Sequence, residues 1–197
     1  AQYCGDWAID TSGKRYVSFH IIVHGQCFIT ADCLDKPELL KTGDFVMFPH
    51  DAQHILKPNL ACSAKLNKQS ALSFTEGLAN DGVGLVCGYF RFTHPVSNPL
   101  IYVLPEVLIK HHNEINPNNV ITNLLDLIQT ESLKQLAGSQ AAINRLTESL
   151  FIFIVREFIS ESKQQKGLVA ALANPKIAKA LDAIHTQPEQ KWSVDKL

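Results

Sequence analysis

The sequence predicts an α+β fold, with β structure in its first half and helices after it. Two patterns carry that prediction. Up to residue 92, short runs of β-branched and aromatic residues alternate with Gly, Pro and Asx turns. From Asn116 onward, apolar residues recur at helical spacing. At 197 residues and 46% hydrophobic, the chain is also long and apolar enough to bury a sizeable core.

Trp7-Ala8-Ile9 and Tyr16 to Val23 read as strands separated by the turn Asp10 to Gly13. Gly25 interrupts the second run, and Cys27 to Thr30 resumes it, as expected of a bulge or bend. That bend could bring Cys27 to the face that carries His20. Leu39-Leu40 leads into the turn Gly43-Asp44, and Phe45 to Phe48 is a strand that Pro49 ends. His54 opens the returning strand. Residues 63–82 are polar and too long for an ordinary connection, so they read as a mobile loop. Leu85 to Phe92 is the last strand expected.

Asn116-Pro117 reads as a helix start, with Ile121, Leu124, Leu125 and Ile128 on one face. Ser139 caps a second helix that runs to about Glu161. Its stripe is Ile143, Leu146, Leu150, Phe153, Ile154 and Phe158, while Phe151, Ile152, Val155 and Ile159 fall outside it. A helix apolar nearly all round is covered on more than one side. Two covers are open: a second copy of the chain, giving a homodimer through residues 139–161, or the β structure with the preceding helix. The homodimer is the expectation carried forward. Residues 163–173 read as a linker. Asn174-Pro175 starts another helix, faced by Ile177, Ala180, Leu181 and Ile184, and Ser193 would cap one more.

The net charge of −1 announces no nucleic-acid surface, and no stretch has the length of a membrane span. Five cysteines, odd in number and widely spaced, with no signal peptide, fit a cytoplasmic protein with reduced thiols better than a disulfide framework. The abrupt ends suggest a piece of a longer protein.

The stretch GDFVMFPHDAQH, Gly43 to His54, resembles the second signature of the cupin barrels, although His50-Asp51 replaces the usual Gly after the Pro. Before it stands Phe19-His20-Ile-Ile-Val-His-Gly25-Gln-Cys27. After it come Val86 to Phe90 and Pro99-Leu100 to Leu104-Pro105. The order resembles the N-terminal domain of AraC-type bacterial transcription regulators. The tail from Asn174 resembles the start of their helix-turn-helix domain. The resemblance implies a cupin-like double-stranded β-helix over 1–115, a helical dimerisation segment over 116–162, a linker over 163–173 and a truncated DNA-binding domain over 174–197. Its implied function is effector sensing and dimerisation, with DNA read by the missing C-terminal part and an unknown small-molecule, redox or metal signal.

Metal-binding cupins typically use three histidines and a glutamate. Here His20 takes the glutamate-like position and His54 the final histidine, and the paired histidines are missing. That counts against the alternative, a metal-dependent cupin enzyme, and no catalytic residues are assigned. His20, Cys27, His54 and Cys87 remain, an N and S donor set suited to one structural or sensory zinc. Their other reading is core filler. His24, His50 and His94 are expected at the surface or rim, and His111-His112 solvated. Cys4 is expected in a loose terminus and Cys33 in a turn.

Overall fold

The computed structural model describes residues 1–64, 82–92, 99–112, 119–161 and 167–194. The chain divides into two compact units, Ala1–Phe151 and Ile152–Leu197. The first unit holds two sheets. One has five strands in the order β1 (Gln2–Tyr3), β7 (Val83–Phe90), β2 (Val17–His24), β5 (Phe45–Phe48) and β8 (Leu108–Lys110). The other has three: β4 (Glu38–Lys41), β3 (Gln26–Ala31) and β6 (His54–Lys57). All pairings are antiparallel.

Gly25 is a corner rather than a bulge. It joins β2 in one sheet to β3 in the other, at φ +75°, and an added Cβ would meet the Gly82 carbonyl oxygen at 2.7 Å. The irregularity lies one step earlier, where the β2–β7 register shifts between Ile22 and His24. Trp7 to Ile9 contributes only a bridge, Ile9 to Leu56, although Trp7 is fully buried. The short strands β1 and β8 and the helix α1 (Pro99–Val103) are additions to the expected elements.

Side chains alternate across a strand, so β2 serves two interiors. Ile22 faces between the sheets and joins Cys27, Ile29, Leu40, Val46, Phe48, Leu56 and Leu85. On the other face Phe19 stacks with Phe45 (ring centroids 6.1 Å apart) and Phe90 (4.8 Å). Phe151 covers Phe90 at 4.8 Å and Phe92 at 5.6 Å. The chain therefore covers Phe151 itself, and Val155 is buried as well, while Ile152 stays 50% exposed. This shrinks the excess apolar surface on which the homodimer expectation rests.

The helix α2 (Val120–Lys134) starts later than expected. Its cap is Asn119, whose side chain accepts from the Ile121 N–H, and Gln135 ends it in the left-handed region. Gln129 ties it to the sheet through Nε2 to the Val23 carbonyl, 2.8 Å. The helix α3 (Ser139–Glu161) runs across the boundary between the units. In the second unit, residues 167–173, expected as linker, form the helix α4 (Gly167–Ala173). The Asn174 cap of α5 (Pro175–Thr186) stands as expected, accepting from Lys176 and Ile177 N–H with Pro175 at the first turn. Most of the 63–82 loop, His94 and the expected start at Asn116 lie outside the described residues.

Candidate functional site: a buried histidine pair beside a thiol

β2 sets His20 on the face between the sheets, opposite Cys87 of β7 and Val46 of β5. β6 of the other sheet brings in His54 at its first residue, because Pro49 and the turn after it reverse the chain out of β5. Both imidazoles are fully buried. Their Nε2 atoms lie 3.0 Å apart, and the rings meet edge-on at 64°. The His54 ring lies flat on Phe48, centroids 3.9 Å apart. Thr11 Oγ1 closes a triangle, 3.0 Å from His54 Nε2 and 3.3 Å from His20 Nε2. Behind His20, its Nδ1 lies 3.0 Å from Cys87 Sγ.

The partners assign the protons. The Ala52 carbonyl, 2.8 Å away, can only accept, so His54 carries its proton on Nδ1 and its Nε2 is a bare acceptor. His20 is neutral, since burial first and His54 second push its pKa down to about 3. Its single proton then sits on Nε2, directed at the shared corner, where the Thr11 hydroxyl accepts from His20 and donates to His54 Nε2. That leaves Nδ1 to accept from the Cys87 thiol. The opposite His20 tautomer sets two bare lone pairs 3.0 Å apart and needs a cation between them.

Burial also lowers the pKa of His54, opposed by the Ala52 hydrogen bond and by Asp10 and Asp51. Burial raises the Cys87 thiol. Cys87 nonetheless has exposed surface, because it opens onto two recesses. Water reaching it there moderates the rise. A raised thiol beside a depressed imidazole is a neutral hydrogen-bonded pair, so Cys87 is a donor here and not a ready thiolate nucleophile.

The structure thus brings together His20, His54 and Cys87 of the four expected zinc ligands. Cys27 lies in the apolar core, fully buried, with burial pushing its thiol up to about 12. Cys87 approaches the ring nitrogen of His20 that points away from His54. Among the described residues, no group of three or more His, Cys, Asp or Glu is disposed to hold a metal ion. Thr11 is the member that the sequence reading missed, since a threonine in a polar turn carries no signal.

The remaining histidines divide. His111, expected to be solvated, pairs through Nδ1 with Asp44 Oδ2 at 2.9 Å, and Asp44 also accepts from the Lys41 and His112 N–H groups. His50 bonds the Leu104 carbonyl at 2.9 Å, and His24 is half-buried. Cys62 is buried with its thiol on the Trp7 carbonyl at 3.5 Å, while Cys4 is exposed and Cys33 partly exposed.

A cupin family model matches residues 1–160. An HTH-type transcriptional regulator of Haemophilus influenzae is 27% identical over 203 residues, covering all of this chain and 65% of its own length. The HTH-type transcriptional regulator MtrA of Neisseria gonorrhoeae is 25% identical, covering 90% of this chain and 59% of its own. For AlkR of Acinetobacter baylyi the figures are 26%, 98% and 66%. The chain spans about two thirds or less of the length of these relatives. Among the described residues, no helix is long and apolar enough to cross a membrane. With its two facing sheets, its helical second half and a match over residues 1–160, the chain belongs to the cupin family, in the form carried by AraC-like transcription regulators.

Proposed function

We propose that residues 1–115 form the effector-sensing module of an AraC-type transcription regulator acting in the cytoplasm. The helix 139–161 would pair two copies, and DNA would be read by a helix-turn-helix domain that begins at Asn174. The relatives' names support regulation over enzymology. The carrying observation is the His20–His54 contact. It joins β2 of the five-stranded sheet to β6 of the three-stranded one, and it is wired to a thiol that opens onto recesses. A molecule that perturbs Cys87 therefore acts on a hydrogen bond between the two sheets.

The test uses the full-length protein and a reporter gene at its operator. Cys87→Ser and His54→Gln should shift basal output by up to about tenfold, the effect of ~1.4 kcal/mol on a two-state balance. Wild-type output from both, with both folded, would refute the reading.

Zinc is a second reading, favoured by one observation. His54 donates Nδ1–H to a backbone carbonyl and turns a bare Nε2 toward His20, as metal-binding histidines do. His20 and His54 would then hold the ion, with Cys87 behind His20 as a hydrogen-bond partner and Cys27 uninvolved. Metal analysis should find zinc in wild type and in Cys27→Ser and none in His54→Gln. A zinc-free wild type purified without chelator would refute it.

A further inference from the structure

Thr11, Ser18 and Asp51, with Cys87 and the stacked pair Tyr16 and Tyr89, line a recess of about 190 Å³. That is smaller than the ~300 Å³ at which pockets for drug-sized ligands begin. Two polar atoms in its wall are unexplained. Ser18 is only 4% exposed, and its Oγ has no hydrogen-bond partner among the described residues. Asp51 uses Oδ2 on the Arg15 N–H, and its Oδ1 is buried and likewise without a partner. A carboxylate oxygen can only accept, so Asp51 Oδ1 lacks a donor. Buried groups left in that state are costly, and each calls for an explanation.

The rest of the lining narrows the chemistry. The Cys87 thiol donates to His20, and the Thr11 hydroxyl donates to His54 while accepting from His20, so what either has left for a ligand is acceptor capacity. The Tyr16 and Tyr89 rings, 4.7 Å apart and 17° from parallel, cover one another, and the Arg91 guanidinium lies over the Tyr16 ring at 5.9 Å, so they wall the recess without offering Tyr16 as a free face. Among Thr11, Ser18, Asp51 and Cys87 acceptors outnumber donors and one is anionic, while Lys14 is the one charged donor in the same lining.

We propose that this recess binds a small primary ammonium ion, whose three N–H donors go to Asp51 Oδ1, Ser18 Oγ and Thr11 Oγ1. The shared group is the ammonium, and two sources carry it, a simple alkylamine or an α-amino acid. Lys14, also in the lining, would meet the carboxylate of the second. The proposal rests on the effector-sensing reading for its consequence. Through Thr11 the ligand touches the corner that joins His20 to His54.

The experiment is calorimetry and thermal unfolding of the whole chain with n-propylammonium chloride, against sodium propionate and potassium chloride at equal ionic strength. Propylammonium should bind saturably and raise the melting temperature, and neither control should. Asp51→Asn, which keeps an acceptor for Arg15, should weaken binding at least tenfold. Ser18→Ala should weaken it severalfold and serves if Asp51→Asn does not fold. Glycine binding that is lost in Lys14→Met assigns an amino acid. Propylammonium binding without glycine binding assigns a simple amine. No saturable binding, equal binding by Asp51→Asn, or binding only after Lys14→Met would overturn the site, the last because the ammonium of Lys14 would then be filling it. The two readings fail separately. A reporter response to Cys87→Ser without amine binding refutes this recess alone. Amine binding with an unresponsive reporter keeps the site and refutes sensing through it.

Discussion

Lowering the pH should destabilise this domain through His20. The side chain is fully buried, and its pKa is depressed from 6.5 to about 3, chiefly by burial. Above pH 6.5 neither the folded nor the unfolded chain holds the extra proton, so the neutral fold is at full stability. Between there and about 3 the unfolded chain takes up a proton that the folded chain refuses, and stability falls by up to ~1.4 kcal/mol per pH unit. Going from pH about 7.5 to about 5 costs ~2 kcal/mol, a large share of a typical ~5–15 kcal/mol. That figure is set by the unfolded value and is nearly independent of the folded one once the latter is well below 5. His54 acts in the same direction. Ordinary carboxylates, with pKa near ~4, stay largely ionised in both states over this window. Urea unfolding with chelator present, followed by the fluorescence of buried Trp7, measures the effect. His20→Gln should lose ~2 kcal/mol less than wild type between the two pH values. Parallel losses in the two proteins would refute the assignment of His20 as a buried neutral imidazole.

Gly88→Ala should destabilise by ~1–3 kcal/mol, because the new Cβ would fall 2.6 Å from Phe19 Cζ, in a ring already stacked on Phe45 and Phe90; an unchanged urea midpoint would show that the ring yields. Light scattering at micromolar concentration should report a homodimer. Ile152→Glu, at a half-exposed position of α3, should weaken it without unfolding the chain; a wild-type monomer, or a dimer indifferent to the charge, would remove α3 from the interface.

Strands were legible where composition alone decides them. β5 between Gly43-Asp44 and Pro49 is one case, and the β-branched run of β2 is another. The Asn174-Pro175 helix start was legible because cap and first-turn proline signal together. The same signature at Asn116-Pro117 lies outside the described residues, and the cap of α2 is Asn119. Gly25 was visible as a break, but a sequence does not say whether a glycine bends one strand or turns the chain into another sheet. That difference decided the site. His20 and Cys27 ended on different sheets, and Cys27 went into the core. His111 was misread because its partner Asp44 is 67 residues away, a distance no local pattern spans. Thr11 was invisible because a threonine in a polar turn carries no signal of its own.

The position of His20 carries one more step. It is adjacent in β2 to Phe19, and the two side chains lie on opposite faces of the strand. His20 meets the His54 network on the inside, while Phe19 meets the aromatic stack that Phe151 of α3 completes. A ring shift on the inner face must therefore be taken up by a strand whose outer face carries the stack that meets the middle of α3, the helix proposed to pair two copies. Spatial adjacency does not establish coupling, which is a free energy and has to be measured. A double-mutant cycle on His20→Gln and Phe151→Leu supplies it, because neither substitution removes a contact that the other makes directly. Independent sites add to within ~0.3–0.5 kcal/mol, so a cross term above that, with the single variants folded, would mean that β2 transmits the state of the histidine pair to α3. Additivity would confine the pair's influence to the space between the two sheets.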